Sequence, residues 1–329
     1  MGGRGLLRVA LTVGLALGAL VSPVAAAQPP DASPRSGVHT DGPSSPGPFE
    51  VEVGTIPFFS DPGFRGGTVW YPKRPPDKGN GPRDTRFPTI LVMPGFLSFE
   101  GSTVWFGPRL ASYGFFVVTL ASNWPWDSPV ARSDQLGKAL GYLIRSKDFQ
   151  GMIDTERVGL VGWSYGGGAV LHAALGLETG PTTGSKAGPT VQPTGIVALA
   201  PPSSGTMASH NSTTLAKVTT PTLTIGIEND FLCLFDDHQD HGRCALPTYN
   251  ALGASDKMFV QLPGTQLNHF EVMFPNPVVS AYTVAWLGHF VAKTADFDAF
   301  LCQSPPVWIT GFDARIPDVP CATTSHADR

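Results

Sequence analysis

The most informative segment of the sequence surrounds Ser164. Residues 162–166 read GWSYG, so the serine lies between two glycines, after the apolar run 158–161 and before the helix-forming run 169–175. A strand, a tight turn and a helix in this order are the setting in which a G-x-S-x-G motif exposes a serine hydroxyl as a nucleophile. The glycines let neighbouring backbone pass close to the turn. The segment therefore predicts nucleophilic chemistry at Ser164.

A serine hydroxyl needs a base that accepts its proton and an acid that orients the base. Asp230 follows the strand-like run 222–227, and His269 follows the strand-like run 257–263. Histidine side chains titrate near neutral pH, which suits a general base. We expect His269 to be the base and Asp230 to be the acid. Glu228, which directly follows its strand, is the rival for the acid.

The same chemistry needs two backbone N–H groups that stabilise an oxyanion. The N–H of Tyr165 lies at the start of the helix after the serine, and Phe96 lies in the loop after the third strand-like run. We expect these two amides to form the oxyanion hole. The order serine, acid, histidine along the chain is that of α/β-hydrolases and differs from the orders in chymotrypsin and subtilisin.

The elements that must position these residues alternate along the chain. No helix separates the first two strand-like runs, which predicts an antiparallel hairpin, whereas the later strands alternate with helices and predict a mostly parallel sheet. We expect an α/β-hydrolase fold, with an eight- or nine-stranded sheet, helices on both faces and no large lid. The expected strands are 49–56, 66–72, 89–94, 115–120, 157–162, 195–201, 222–227 and 257–263, and the expected helices are about 103–113, 133–146, 166–176, 246–253 and 277–293.

The N-terminal segment predicts export. Residues 1–27 contain two arginines, a short apolar run and an Ala-Ala-Ala end, which is typical of a secretory signal peptide and too short an apolar run for a membrane span. Residues 28–48 are rich in Pro, Gly and Ser and predict a disordered leader. We expect a catalytic domain over 49–322, a disordered tail over 323–329, and a secreted, extracellular protein.

Charge and composition limit the classes of molecule that the protein is expected to bind. The formal net charge is −4, and removal of a signal peptide with two arginines and no acidic residue makes it more negative. A basic patch, which a nucleic-acid-binding protein needs, is missing from the sequence. We expect no nucleic-acid partner, no cofactor, no metal and a monomer whose partner is its ester substrate.

Four cysteines make disulfide bonds the expected state of an exported chain. Three pairings are possible, and the simplest joins nearest neighbours as Cys233–Cys244 and Cys302–Cys321. Zinc is the alternative at the first pair because His238 and His241 lie between its cysteines, although the spacing fits no zinc-finger pattern. A calcium site is also open in the acidic loop that contains Asp236, Asp237 and Asp240.

Several segments together resemble the secreted bacterial polyester hydrolases, namely actinobacterial cutinases and polyethylene terephthalate hydrolases. The resemblance spans about residues 50–321. The segments that carry it are MPGF (93–96), VWFGPRLASYGFFVVTL (104–120), WDSPVARSDQLGKALGYL (126–143), GWSYGGGAV (162–170), TPTLTIGIEND (220–230) and AFLCQ…PC (299–303 and 320–321).

The resemblance implies the same three catalytic residues, the same two oxyanion amides and a C-terminal disulfide bond. Substrate contacts are expected from the side chains of Phe96, Phe99, Trp163, Tyr165 and Pro202. Trp163 matches the family variant with tryptophan before the serine, and the family usually has tyrosine and methionine at positions 96 and 165.

The sequence departs from this family at the cleft. Pro202 stands where the family has a tryptophan after the sixth strand, and the segment 178–195 and the loop between Cys233 and Cys244 are additions. We therefore expect a secreted serine carboxylic-ester hydrolase that acts on polyesters through an acyl-enzyme. The alternatives are a lipase or esterase for lipid or soluble esters, and a non-catalytic binding protein on a hydrolase scaffold, against which the intact serine, acid and histidine argue.

Overall fold

Long apolar runs form the centre of a single large sheet. The computed structural model describes residues 42–61, 63–73, 86–180, 188–202, 211–235 and 245–321. The strands are β1 (Val51–Ile56), β2 (Gly67–Pro72), β3 (Phe87–Met93), β4 (Phe116–Leu120), β5 (Ile153–Trp163), β6 (Leu177–Glu178), β7 (Thr190–Val191), β8 (Gly195–Leu199), β9 (Thr222–Ile227), β10 (Lys257–Leu262) and β11 (Gly311–Arg315). The helices are α1 (Phe106–Ala111), α2 (Pro129–Arg145), α3 (Tyr165–Ala173), α4 (Ser212–Leu215), α5 (Ala245–Ala251), α6 (Pro277–Leu287) and α7 (Asp298–Leu301).

Nine of these strands form one mixed sheet in the order β1-β2-β4-β3-β5-β8-β9-β10-β11. The six central strands, from β4 to β10 in that order, pair in parallel, whereas β1, β2 and β11 pair antiparallel at the edges. Every residue of β4, β8, β9 and β10 is buried, as expected for strands that are covered on both faces. The prediction of a mostly parallel α/β sheet is confirmed.

Helices cover both faces of the sheet, and each face has its own hydrophobic cluster. One cluster includes Phe106 of α1 and Trp286 of α6. The other includes Leu140 of α2 and Tyr249 of α5. The connection that leaves β3 runs to β4 on one side, and the connection that leaves β5 runs towards β8 on the other, so the two diverge at the carboxyl ends of these strands. In open α/β sheets, ligands bind at such a point.

Two differences from the expected elements have local causes. Helix α2 begins at Pro129, four residues earlier than expected, because the Ser128 side chain accepts the Ala131 N–H at 3.2 Å and proline suits the first helical turn. The ninth strand, β11, was not expected because its residues are half-buried or exposed and lack a strong apolar pattern. It completes the sheet by pairing with β10.

Residues 42–48, which the sequence predicted to belong to a disordered leader, make hydrogen bonds to the catalytic domain. The Gly47 N–H donates to Ser112 Oγ at 2.9 Å. The Arg109 guanidinium donates to Pro43 O, and the Tyr113 hydroxyl donates to Ser45 O. These bonds tie residues 42–48 to α1 and to the turn that follows it. The signal peptide 1–27, the rest of the leader up to residue 41 and the tail 323–329 lie outside the described residues.

The expected insertion at 178–195 is partly described, and its two ends pair as the short antiparallel ribbon β6–β7. A disulfide bond joins Cys302 to Cys321. Cys233 also takes part in a disulfide bond, and Cys244 lies outside the described residues, so that pairing stays a prediction. Among the helices that the structure describes, none has the length and hydrophobicity that a membrane crossing would need.

Candidate active site

Ser164 lies in a strained turn between β5 and α3. Its φ of 55° and ψ of −119° are unusual for a residue with a side chain, and such conformations cost about 1–3 kcal/mol. The Ser164 N–H donates to Leu199 O at the end of β8, at 2.9 Å. An ideal Cβ on Gly162 would lie 2.0 Å from Gly166 O, and one on Gly166 would lie 2.1 Å from Met93 O. Only glycine fits at these two positions, so the GWSYG pattern is a packing requirement of the turn.

The loop after β3 passes directly beside the serine. Strands β3 and β5 end in register, with Met93 opposite Gly162. An ideal Cβ on Gly95 would lie 3.0 Å from Ser164 Cβ, so Phe96, the next residue, is close to the serine. Tyr165 is the first residue of α3, and the first N–H groups of a helix have no partner within the helix. The structure thus brings both predicted oxyanion residues to the serine.

The rings of these two residues also meet. The Phe96 and Tyr165 ring centroids are 4.8 Å apart, and both side chains are half-buried. Burial raises the pKa of the Tyr165 phenol, partly offset by the nearby Arg132 charge, so the ring is neutral at physiological pH. These two side chains form an apolar wall beside the serine.

Asp230 and His269 meet in a buried pair beyond the ends of β9 and β10. His269 Nδ1 lies 2.7 Å from Asp230 Oδ2, and the two side chains are 3% and 5% exposed. The other oxygen, Oδ1, accepts the Leu232 N–H at 3.0 Å. A proton on Nδ1 directed at the carboxylate leaves the Nε2 lone pair available. Within the described residues, Nε2 is buried and makes no hydrogen bond, so no other side chain occupies its lone pair.

The rival acid does not reach the base. Glu228 is half-buried directly after β9, and its N–H donates to Leu262 O at 2.9 Å. Among the described residues, the carboxylate that hydrogen-bonds to the His269 ring is that of Asp230. Asn229 has a φ of 56°, so the backbone turns between Glu228 and Asp230. This turn directs Asp230, rather than Glu228, towards His269.

Trp163 supports the base, and it is not on the open surface. The side chain is 2% exposed, its Nε1–H donates to His269 O at 3.1 Å, and its ring lies 5.3 Å from the His269 ring. In the structure Trp163 therefore contacts the base, and its expected contact with substrate stays a prediction. Phe99 is 63% exposed, and Pro202 is half-buried with its carbonyl accepting the Thr248 hydroxyl.

A buried arginine holds the loop of Phe96, and sequence reasoning assigned it no function. Arg132 of α2 is fully buried and donates to three carbonyls, those of Pro94, Pro125 and Asp127. Pro125 O also accepts the Leu97 N–H at 2.7 Å. Burial lowers the pKa of Arg132 to about 10, which still leaves it charged at neutral pH. Its place in the segment WDSPVARSDQLGKALGYL (126–143), which carries the family resemblance, was the available signal.

Exposed aromatic side chains lie near this loop. Trp124 and Trp126 flank Pro125, their rings stack 5.5 Å apart, and they are 56% and 62% exposed. Large exposed apolar side chains that lie together are characteristic of interaction surfaces.

Metal ligands do not cluster in the described ranges, where no group of three or more His, Cys, Asp or Glu side chains is arranged to hold an ion. The residues of the alternative zinc and calcium sites, His238, His241, Asp236, Asp237 and Asp240, lie outside the described residues. The site that can be described thus consists of a serine, a histidine–aspartate pair and backbone amides. This arrangement can activate a hydroxyl and stabilise an oxyanion.

The sequence is similar to those of known ester hydrolases. The model of a family described as PET hydrolase-like matches residues 25–319. The chain is 31% identical over 260 residues to bis(hydroxyethyl) terephthalate hydrolase of Streptomyces coelicolor, covering 79% of this chain and 73% of the relative. It is 31% identical over 291 residues to a cutinase of Thermobifida fusca, covering 87% and 83%. It is 32% identical over 261 residues to lipase 1 of Moraxella sp., covering 78% and 70%.

The family match covers most of the chain, and these relatives align over more than two thirds of it. The residues that bear the candidate chemistry all lie within the matched range. The chain belongs to the PET hydrolase-like family.

Proposed function

We propose that this protein is a serine ester hydrolase that cleaves polyesters through Ser164, His269 and Asp230. The observation that carries the proposal is the buried hydrogen bond of 2.7 Å between His269 Nδ1 and Asp230 Oδ2. His269 is oriented by the Asp230 carboxylate, and Trp163, the residue before Ser164, packs against it. A buried histidine oriented in this way and a serine on a strained strand-to-helix turn are the two parts that activate a serine hydroxyl.

The reaction proceeds in two halves. Ser164 Oγ attacks the ester carbonyl carbon while its proton passes to His269 Nε2. The resulting oxyanion accepts hydrogen bonds from the Phe96 and Tyr165 N–H groups. Collapse breaks the bond to the alcohol oxygen, which leaves with the proton from His269. Water then attacks the acyl-enzyme, again losing a proton to His269, and the carboxylic acid is released as Ser164 regains its hydrogen.

The substrate class rests on the family and on the apolar surroundings of the serine. The family description and the names of the Streptomyces and Thermobifida relatives point to polyesters and their fragments. Phe96 and Tyr165 offer a half-buried aromatic wall, and Phe99 is exposed on the loop that follows Phe96. A lipid or soluble ester is the second candidate, because one relative is named as a lipase.

Secretion belongs to the same proposal. The disulfide bond between Cys302 and Cys321 suits an oxidising compartment. The signal peptide at 1–27 and the monomeric state are predictions from the sequence. N-terminal sequencing of the exported protein would test the first, and light scattering would test the second.

The experiment uses two arms on the purified protein. Incubation with the organophosphate paraoxon, followed by peptide mapping, is expected to find the diethylphosphoryl group on Ser164. Product release from aliphatic polyester film is then compared with hydrolysis of p-nitrophenyl butyrate. Labelling of Ser164 with film hydrolysis supports the proposal, and labelling with hydrolysis of only the soluble ester favours an esterase. Absence of labelling at Ser164 would contradict serine catalysis and favour a binding protein.

A further inference from the structure

We infer that Asn268 is a positioning residue that holds the acid-bearing loop and the base-bearing loop together, so that Asp230 reaches His269. The inference rests on the proposed function because it concerns the same site. It adds a residue for which the sequence suggested no role.

The acid-bearing loop and the base-bearing loop differ in the number of residues between the sheet and the site, so a contact between the loops is needed to align them. Strands β9 and β10 are parallel neighbours that end in register, with Ile227 opposite Leu262. Asp230 lies three residues beyond the end of β9, whereas His269 lies seven residues beyond the end of β10. The second loop must therefore fold back across the first for the two side chains to meet.

The Asn268 side chain bonds to both peptide groups that flank the Asp230 Cα atom. Its Oδ1 accepts the Phe231 N–H at 2.9 Å, and its Nδ2 donates to Asn229 O at 2.5 Å. Oδ1 also accepts the His269 N–H at 2.8 Å. One amide group thus fixes the backbone on both sides of the acid and at the start of the base.

The backbone of Asn268 adds a second requirement. Its φ is 48°, in the left-handed region, which asparagine adopts more readily than most residues with a side chain. Asn229, across the bonded loop, has a φ of 56°. A residue at position 268 must accept this conformation and also carry both a donor and an acceptor on a short side chain, and asparagine meets all three conditions.

Other contacts hold the His269 ring without setting its distance from Asp230. The Trp163 indole bonds to the His269 carbonyl, and the rings of Phe231 and Phe270 each lie 5.9 Å from the imidazole. These contacts bury the ring and limit its tilt. Loss of the Asn268 side chain is therefore expected to loosen the pair while the rest of the fold persists.

The test compares Asn268→Gly with wild type on p-nitrophenyl butyrate. Glycine keeps the left-handed backbone accessible and removes only the side-chain bonds. Since a misplacement of about 1 Å can lower a rate about 10²-fold, we expect kcat to fall by that order. KM is expected to change far less, because the substrate wall at Phe96 and Tyr165 is untouched. Asn268→Asp keeps the Oδ1 acceptor and is expected to recover part of kcat.

Asn276 offers a matched control. Its Oδ1 accepts the Val278 and Val279 N–H groups at 2.9 and 3.1 Å and caps α6, so it also binds two backbone amides. Asn276→Gly is expected to lower the melting temperature by an amount similar to Asn268→Gly while leaving kcat near wild type.

A proton NMR measurement makes the result independent of activity. The strongly deshielded Nδ1 proton of His269, assigned by its absence in His269→Ala, is expected in wild type and in Asn276→Gly and to be lost or broadened in Asn268→Gly. A wild type that shows this proton but hydrolyses no ester would contradict the proposed function and leave the NMR comparison to decide the role of Asn268. An unchanged kcat in Asn268→Gly, or a lowered kcat with an unchanged His269 proton, would overturn the inference. If Asn268→Gly does not fold, the same readouts on Asn268→Asp decide it.

Discussion

The nucleophile side and the acid–base side of the site are held in place in different ways. Ser164 is positioned by backbone, through the register of β3 with β5, the bond of its N–H to Leu199 O and close packing at Gly162. Asp230 and His269 are instead positioned by side-chain hydrogen bonds between two loops. The position of the serine therefore depends on the fold as a whole. The pair depends on a few polar groups, and a substitution there can remove catalysis while the protein stays folded.

Within the acid–base pair, which side-chain hydrogen bonds hold in place, a large effect is expected from Asp230. Asp230→Asn cannot act as a charged acceptor for the Nδ1 proton, and it favours the wrong imidazole tautomer. In a serine protease the corresponding change lowers kcat about 10⁴-fold, and we expect a similar loss here with little change in melting temperature. The measurement is kcat on p-nitrophenyl butyrate.

Glu228→Gln is the matched control for that prediction. Glu228 lies two residues earlier on the same loop, and the described contacts do not bring its carboxylate to His269. Its kcat is expected to stay near wild type. A loss of several orders of magnitude in Glu228→Gln, with Asp230→Asn near wild type, would reverse the assignment of the acid.

Much of this site could be predicted from the sequence because each of its candidate catalytic residues directly follows a strand of the sheet or lies in the loop after one. Ser164, Asp230 and His269 each come after a strand-like run, and parallel strands bring their carboxyl ends to one edge. Asn268 was missed because its role depends on a left-handed backbone and on a loop that folds back, and neither leaves a pattern in one sequence. Trp163 was expected at the substrate, and its burial under His269 depends on how the base loop closes over it.

The fold was predictable to a similar degree. Buried strands and amphipathic helices have strong apolar patterns, so the six central strands and the two-sided covering were expected. Edge elements have weak patterns because half of their residues face water, which is why β11 and the ribbon β6–β7 were not expected. The hydrogen bonds of residues 42–48 to Arg109 and Ser112 could not be predicted, since they do not follow from the segment's own composition.

On the nucleophile side, where the backbone positions Ser164, a substitution is expected to lower the stability of the protein. An ideal Cβ on Gly162 would lie 2.0 Å from Gly166 O and 2.3 Å from Gly166 C, and these backbone atoms cannot move without displacing the serine. We expect Gly162→Ala to lower the free energy of unfolding by about 1–3 kcal/mol or more, measured by urea denaturation. Gly101→Ala is the control, because a Cβ there meets no atom within 4 Å. Equal stability of the two variants would contradict the claim that backbone packing positions Ser164.

The smallest effect is expected at Pro202, where a substrate contact is predicted. Pro202 follows β8, where the resembling polyester hydrolases have a tryptophan, and an aromatic ring there could stack on an aromatic acyl group. Such contacts contribute about 0.5–1.5 kcal/mol, which corresponds to roughly two- to tenfold in rate. We expect Pro202→Trp to gain this factor on polyethylene terephthalate film and not on an aliphatic polyester. Equal rates of variant and wild type on both polymers would contradict the role given to this position.

The most direct test of the account is the turnover of Ser164→Ala. The substitution removes only Oγ, because the strained turn is fixed by the backbone bonds and glycine packing around it. Removal of the nucleophile in a serine hydrolase can lower kcat about 10⁶-fold, and we predict a loss of that order on p-nitrophenyl butyrate, with an unchanged circular dichroism spectrum and melting curve. A folded Ser164→Ala protein that retains a tenth of wild-type kcat would show that Ser164 is not the nucleophile.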